Sequence, residues 1–501
     1  MIINRIYEWA HVQPNKPALI CNDVTISYGV FAQTIERLRR LSKQKNLPAG
    51  QTAIVLAQDF ADAWALVLAL RSLGLDTATV SSIEHAEALG LRNVACVAMT
   101  EAERADYDAA GNSLGRVEAI AIPGPIVGHH EGELPRPPEQ SPFGGHILFT
   151  SGTTGTYKKV LQQGANEERR NALRAKQLFF DRNTVAHFHA MPLWTGAGFK
   201  CPAAVWHVGG CAILDQTPNL VDNFFKHKLT HAFLVPPTLN SLCETYGRTR
   251  AFPADRIEFA IMGGFIPFKL VEQVIDNSNA KLTFQYSSTE TGGIVMYTEF
   301  KTKDDLYWYT PVSDRKIEIV DDFGDECATG REGKLRIPIT DLDCSAYLDD
   351  EEASAHFFRD GFFYPGDMAV ARADGRIRIL GRTDDVVLMQ GMKVAVAPIE
   401  EAIKNQLGVD EVCVFSALDD QGIEELVIAI QSNRALPEAK LIEAAREFVS
   451  FERVRFAILK KFPRAKSGMQ KIQRSVLKNF VFHEIGNPVA ISGTIKKSSG
   501  Q

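Results

Sequence analysis

Residues 31 to 82 alternate between two periodicities that few architectures accommodate together. FAQTIERLRRLSKQ (31–44) carries apolar residues at helical spacing, and TAIVLA (52–57) is an apolar run of strand length. FADAWALVLALRSLG (60–74) reads as a helix closed by Gly74, and DTATVSS (76–82) opens the next strand. Strand, helix and strand in that order predict a parallel sheet covered by helices, since a parallel crossover needs a helix-length connection. The rhythm returns at CAILDQ (211–216), HAFLVPP (231–237) and RIEFAIMGG (256–264). Beyond residue 300 it gives way to short strands and turns, in RKIEIVDDFGD, GKLRIPI, FYPGDMAVARADGRIRILGR and DVVLMQ.

From Val396 a small α+β unit is expected: helix APIEEAIKNQL, strands EVCVFSAL and ELVIAIQ, helix EAKLIEAAREFVSF, then a basic end. At 501 residues the chain exceeds one ordinary core. The expected fold is α/β. A large N-terminal domain over 1–383 combines parallel α/β subdomains with a β-rich subdomain, and a small mobile α+β domain follows over 384–485. The Gly/Ser/Lys stretch 486–501 is expected to be a disordered tail.

A net charge of −6 makes a general nucleic-acid binder a poor expectation, so any polyanionic ligand must be held by a local set of cations. No apolar run approaches the roughly 20 residues of a membrane span. Asn4, Arg5 and Glu8 interrupt the start in a way a secretory signal does not. The eight cysteines are scattered without a C-x-x-C pair, which suits buried thiols in a reducing cytoplasm. A cytoplasmic protein is expected.

ILFTSGTTGTYKKV (147–160) is the densest chemical signal. An apolar run passes at once into hydroxyls and glycines and closes on lysines, the composition that wraps a phosphate chain. It is not the P-loop G-x-x-x-x-G-K-[ST]: after the four-residue gap from Gly152 stands Tyr157, and Lys158 is followed by Lys159. An ordinary polar surface loop is the plain alternative. Three further clusters stand in order behind it: FQYSSTETGG (284–293), DGFFYPGDM (360–368) and GRTDDVVLMQG (381–391).

With these motifs the chain resembles the acyl-adenylate-forming superfamily, from the first helix to about residue 480. That superfamily holds acyl-CoA synthetases, peptide-synthetase adenylation domains and firefly-type luciferases, and the acyl-CoA synthetases are the nearest match. The resemblance implies ATP-dependent activation of a carboxylic acid with Mg2+, then transfer of the acyl group to coenzyme A. It implies that Thr150, Ser151, Gly152, Thr153, Thr154, Gly155 and Lys158 hold the β- and γ-phosphates. Tyr286 would stack on adenine, Thr289 would meet the α-phosphate and Glu290 would bind Mg2+. Gly263 and Gly264 would line the adenine and acyl pockets, and Asp367, assisted by Arg382, would take the ribose hydroxyls.

The lysine that bridges the α-phosphate and the acyl carboxylate in the family matches Lys471, in FPRAKSGMQKIQRSVL (462–477), provided two extra residues are allowed. Lys466 is the second candidate. Nine Lys/Arg and one acid between Glu452 and Lys478 also describe a solvated basic face. Asp384 is the implied hinge between two arrangements of the C-terminal domain, or more simply a turn former. Four positions depart from the family pattern: Tyr157, Lys159, Pro365 and Gln470. Thr195 stands where many acyl-CoA synthetases have histidine.

The implied acyl pocket is lined by Trp194, Thr195, Phe199, Val235, Gly264, Phe265, Ser288 and Gly293, none of them charged. A buried ammonium or second carboxylate would lack a counter-charge there, so an apolar monocarboxylic acid is expected. The acceptor is expected to be coenzyme A. The alternatives are a separate acyl carrier protein, an oxygenase acting on its own adenylate, and a non-catalytic nucleotide-binding protein.

Overall fold

The computed structural model describes the chain apart from residues 110–116, 123–131, 138–142, 152–156, 190, 216–225, 250–256, 263–265, 267, 313–314, 384–385, 390–391, 419–423, 447–453, 465–471, 473 and 484–501. Two compact units divide it. The first comprises Met1–Leu306, Val312–Arg315 and Pro338–Phe363, and the second Tyr307–Pro311, Lys316–Ile337 and Tyr364–Gln501.

Two sheets organise the first unit. One runs in the order Met296–Glu299, Lys281–Tyr286, Glu258–Met262, His231–Leu234, Val185–His189, Cys211–Asp215, Pro17–Cys21, Val24–Ser27, with only the two outer pairings antiparallel. The other runs Glu118–Ile122, Val94–Thr100, Thr52–Leu56, Asp76–Val80, His146–Ser151, Tyr157–Gln162, and is parallel except for its last pair. The parallel α/β architecture expected from the alternation is therefore present.

Helix Phe60–Arg71 shows why the sequence folds this way. Asp59 caps its start by accepting from the N–H of Ala61 (2.8 Å) and Asp62 (3.2 Å). Every one of its residues is buried, as an all-round apolar helix requires. Gly74, at φ 87°, turns the chain into the next strand, as expected. Arg71, fully buried, donates to the carbonyls of Gly144 (3.0 Å) and Gly145 (3.1 Å) and pairs with Glu167 at 2.7 Å. The backbones cross so closely there that a Cβ on Gly144 would lie 1.8 Å from the Leu75 carbonyl oxygen.

Residues Ile2–Val12, read from sequence only for what they are not, form an amphipathic helix that buries Ile2, Ile3, Ile6, Tyr7 and Ala10. The i, i+3, i+4 spacing of those residues carried that signal.

In the second unit Glu332–Pro338 pairs antiparallel with Glu318–Val320 and with Asp367–Ala371. Ile377–Arg382 then lies between Asp367–Ala371 and Trp308–Pro311. A hairpin, Val386–Met389 with Met392–Ala395, leads into helix Val396–Leu407. Strands Glu411–Leu418, Glu424–Gln431 and Val454–Leu459 form a sheet, its parallel pair joined through helix Glu438–Arg446. The β-rich strands and the α+β elements thus share one compact unit, so the sequence-drawn line at 383/384 falls inside it.

All eight cysteines are free; seven are buried and Cys327 is half-buried. No helix among the described residues is long and apolar enough to cross a membrane.

Candidate active site

Strands His146–Ser151 and Tyr157–Gln162 pair antiparallel, with Thr150 opposite Lys158 and Ser151 opposite Tyr157. The expected phosphate residues Thr150, Ser151 and Lys158 therefore lie at the ends of the two strands that flank residues 152–156. Gly152, Thr153, Thr154 and Gly155 lie outside the described residues. The Lys158 Nζ stands 3.4 Å from the Phe357 ring centroid and 5.5 Å from that of Tyr347. Its neighbour Lys159, one of the departures from the pattern, turns the other way and is buried. It donates to the carbonyls of Leu89 (3.2 Å) and Gly90 (3.3 Å) at the end of helix Ile83–Leu89 and faces Asp349 at 3.9 Å. A cation on the last carbonyls of a helix is a structural tether, and it accounts for this departure without any role in phosphate binding.

Tyr286 ends strand Lys281–Tyr286, and the segment after it folds on itself. The Thr291 hydroxyl donates to the carbonyls of Ser288 (3.1 Å) and Gly293 (3.0 Å) and accepts from the Ser288 N–H (3.3 Å). Glu290 is 6% exposed. Ser288 donates its hydroxyl to one carboxylate oxygen of Glu290, and Tyr347 donates to the other at 2.7 Å. A single buried carboxylate beside two hydroxyl-bearing residues fits a Mg2+ ion that takes most of its ligands from substrate phosphates and water. No group of three or more His, Cys, Asp or Glu able to hold a metal occurs among the described residues.

The backbone of this loop is gripped by buried charges. Lys200, 7% exposed, donates from Nζ to the carbonyls of Thr289 (2.7 Å) and Thr291 (2.8 Å). Arg174 donates to the Gly292 carbonyl at 2.5 Å, and Gln162 to that of Thr289 at 3.3 Å. Asp343 accepts from the Gly292 N–H at 2.6 Å while Arg315 holds both its oxygens at 2.8 and 2.9 Å. Burial pushes Lys200 down to about 7, Arg174 adding to the effect and Glu290 opposing it. Burial would raise the Asp343 carboxyl, but the Arg315 fork and two backbone N–H groups hold it below its usual range. Lys200, Arg174, Asp343, Arg315 and Tyr347 were not singled out from sequence. A lysine interrupting the apolar helix Gly196–His207 was the one available signal.

The acyl-pocket candidates divide. Thr195 caps helix Gly196–His207, accepting from the Gly198 N–H at 3.1 Å and donating to the Pro192 carbonyl at 2.7 Å. Gly196 lies against Thr289, where a Cβ would make ordinary contact at 3.4 Å from the hydroxyl oxygen. Thr195, Ser288, Thr289 and Glu290 are thus brought together. Val235 is half-buried at the head of helix Pro236–Thr249. Phe199, however, is 4% exposed, its ring stacked between Trp64 (5.1 Å) and His146 (4.1 Å). Trp194 meets His85 edge-on at 5.4 Å, within a cluster that includes Phe149 and Tyr157. Gly293 faces Gln177 and Leu173. Gly263, Gly264 and Phe265 lie outside the described residues.

In the second unit Asp367 and Arg382 are cross-strand partners, with Nη1 to Oδ1 at 3.3 Å. Arg382 also donates to the Pro365 carbonyl at 2.5 Å, and Gly366 holds φ 80° in the turn between. Arg464 and Ile472 pair across a single bridge that brackets residues 465–471. Lys466, Gln470 and Lys471 within that bracket, and the hinge residue Asp384, lie outside the described residues.

Over 428 residues the chain is 24% identical to pseudomonine synthase PmsE of Pseudomonas entomophila, covering 79% of this chain and 69% of that one. It is also 24% identical to the long-chain-fatty-acid–CoA ligase of Escherichia coli, spanning 68% of this chain and 62% of that ligase. Its fold matches the O-succinylbenzoate coenzyme A synthetase of Bacillus subtilis in complex with AMP at a TM-score of 0.79. That match has 20% identity and covers 95% of this chain and 98% of the other. The family described as AMP-binding enzyme matches residues 6–338, and the chain belongs to it.

Proposed function

We propose that the chain uses ATP and Mg2+ to activate a monocarboxylic acid with an apolar body, and passes the acyl group to the thiol of coenzyme A. The observation that carries this reading is the buried Glu290, held by the hydroxyls of Ser288 and Tyr347, next to Thr289, which lies against Gly196; Thr150 and Lys158 are cross-strand partners in the first strand pair. A carboxylate cannot transfer its acyl group directly, because its leaving group would be oxide. One carboxylate oxygen attacks the α-phosphorus, the bond to the bridging oxygen breaks, and pyrophosphate leaves with both electrons. The thiolate sulfur then attacks the acyl carbon and AMP departs.

The protein's work is to align the reactants and to place positive charge around the α-phosphate, whose oxygens and leaving pyrophosphate carry the negative charge of the transition state. In this reading Thr150, Ser151, Gly152, Thr153, Thr154, Gly155 and Lys158 hold the β- and γ-phosphates, and the Thr289 hydroxyl donates to the α-phosphate. Glu290 would supply the carboxylate that holds Mg2+, and the bound ion would supply charge to offset the departing pyrophosphate. Tyr286 packs on adenine with Gly263 and Gly264 nearby. Asp367, oriented by Arg382, accepts from the ribose hydroxyls. Lys471 bridges carboxylate and α-phosphate, and Asp384 is the pivot that exchanges Lys471 for the thiol between half-reactions.

The acid is argued from charge. Thr195, Val235 and Ser288 are neutral, and Lys200, on the same helix as Thr195, is committed to the carbonyls of Thr289 and Thr291. An ammonium or second carboxylate would therefore be buried unpaired. Each methylene within the pocket should add about 0.8 kcal/mol of binding. The buried free thiols favour a reducing, cytoplasmic setting. The test is acid-dependent pyrophosphate release with benzoate-like acids, C4–C10 acids, amino acids and dicarboxylates, followed by coenzyme A or a holo acyl carrier protein. Preference for an amino acid or dicarboxylate would refute the substrate class, and transfer to the carrier alone would refute the acceptor.

A further inference from the structure

The segment from Thr289 to Gly292 carries two of the proposed reacting groups, yet its conformation is set from outside. The peptide joining Thr289 to Glu290 is held at its carbonyl by Lys200 and Gln162, and at its N–H by the Ser288 hydroxyl at 3.2 Å. The peptide joining Thr291 to Gly292 is held at its carbonyl by Lys200 and at its N–H by Asp343. Between these clamped planes sits Glu290, whose own carbonyl accepts from the Cys344 N–H at 2.8 Å. One ammonium therefore grips both sides of Glu290. The rest of its helix is filled with apolar side chains: Phe199, Cys201, Ala203, Ala204, Val205 and Trp206 are all buried. A lysine among them is expensive to desolvate, and burial beside Arg174 makes it more so. An apolar residue would fill the space at lower cost but leave two carbonyls without a donor.

We propose that Lys200 is a positioning residue for the adenylation step, holding Thr289 and Glu290 in the geometry that receives the α-phosphate and its Mg2+. This rests on the proposed function. Lys200 touches no substrate; it acts through the loop backbone. Its loss should therefore weaken what Glu290 does more than it weakens nucleotide binding as a whole.

The test measures ATP binding by calorimetry with and without Mg2+, a readout that does not require the acid to be known. For wild type, Mg2+ is expected to tighten ATP binding, and a wild type that binds ATP without that enhancement overturns the proposal. In Lys200→Met that enhancement should fall about tenfold, the size expected for a lost hydrogen bond from a charged donor, while affinity without Mg2+ changes less than about threefold. Lys200→Arg, which keeps charged donors, should recover part of it. In a Glu290→Gln background Lys200→Met should cost nothing further, because both act on one event. Should Lys200→Met not fold, Lys200→Gln retains a donor and takes its place. A folded variant with undiminished enhancement overturns the proposal, as does equal loss in the Glu290→Gln background. A wild type that binds no ATP overturns the function itself.

Discussion

Removing the carboxylate of Asp343 should destabilise the first unit more than any exposed ion pair could. Asp343 and Arg315 have side chains 4% and 3% exposed, and their two bonds form a fork. The same carboxylate accepts from the N–H groups of Gly292 (2.6 Å) and Thr340 (2.7 Å) and from the Thr340 hydroxyl (2.8 Å). Asp343→Ala leaves a buried guanidinium without its counter-ion, a change that typically costs 3–5 kcal/mol. Against a total stability on the order of 5–15 kcal/mol this is a large fraction, and in a unit of this size the melting midpoint should fall by about 4–7 °C. Replacing both partners, as Arg315→Met with Asp343→Leu, removes the orphan charge. The double variant should therefore melt above Asp343→Ala, although Gly292 and Thr340 still lack their acceptor.

The pH dependence follows from direction. The folded carboxyl titrates below its unfolded value, so its contribution is complete above the ordinary carboxylate range, near pH 4, and is lost as pH falls through the lower folded value. Thermal melts followed by circular dichroism between pH 3 and 7 measure both effects. If Asp343→Ala costs less than about 1 kcal/mol, or if the single changes simply add, then the fork is not a coupled buried ion pair.

Three other expectations concern catalysis. Tyr347→Phe removes the hydroxyl that donates to Glu290 at 2.7 Å, and acid-dependent pyrophosphate release should drop by about tenfold with little change in melting temperature; an unchanged rate would mean that Glu290 is oriented without it. Lys471→Ala should abolish pyrophosphate release yet still convert supplied acyl-adenylate and coenzyme A to thioester. Loss in Lys466→Ala instead would move the role to that residue. Asp384→Pro fixes φ near −65° and restricts Thr383, so one half-reaction should survive and the other fail. Equal loss of both in a folded protein would count against domain alternation.

Much of the fold could be read before any coordinates, because burial writes itself into periodicity. The strands at 52–56, 76–80 and 411–418 and the helix at 60–71 stand where apolar runs and caps put them. Motif order likewise drew attention to Glu290, Thr289, Asp367 and Arg382. What stayed hidden depends on contacts between distant positions. Phe199 lies in a segment chosen for the acyl pocket, but whether its ring meets a ligand or Trp64 depends on a residue 135 positions away. Lys159 is only a departure from the family pattern until the end of helix Ile83–Leu89 is seen beneath it. Asp343 and Tyr347 reach the site from a segment that carries no motif of its own, and nothing in local composition distinguishes them from turn and strand residues.

The cysteine distribution turns the chain into its own unfolding recorder. Six of the eight thiols, at positions 21, 96, 201, 211, 243 and 344, belong to the first unit and are buried, while the second unit holds buried Cys413 and half-buried Cys327. A brief pulse of an alkylating reagent during mild denaturation adds a fixed mass at each thiol that opens, and intact mass spectrometry counts them. One adduct marks the native chain, two mark opening of the second unit alone, and seven mark opening of the first alone. No engineered label is needed to learn which unit gives way first.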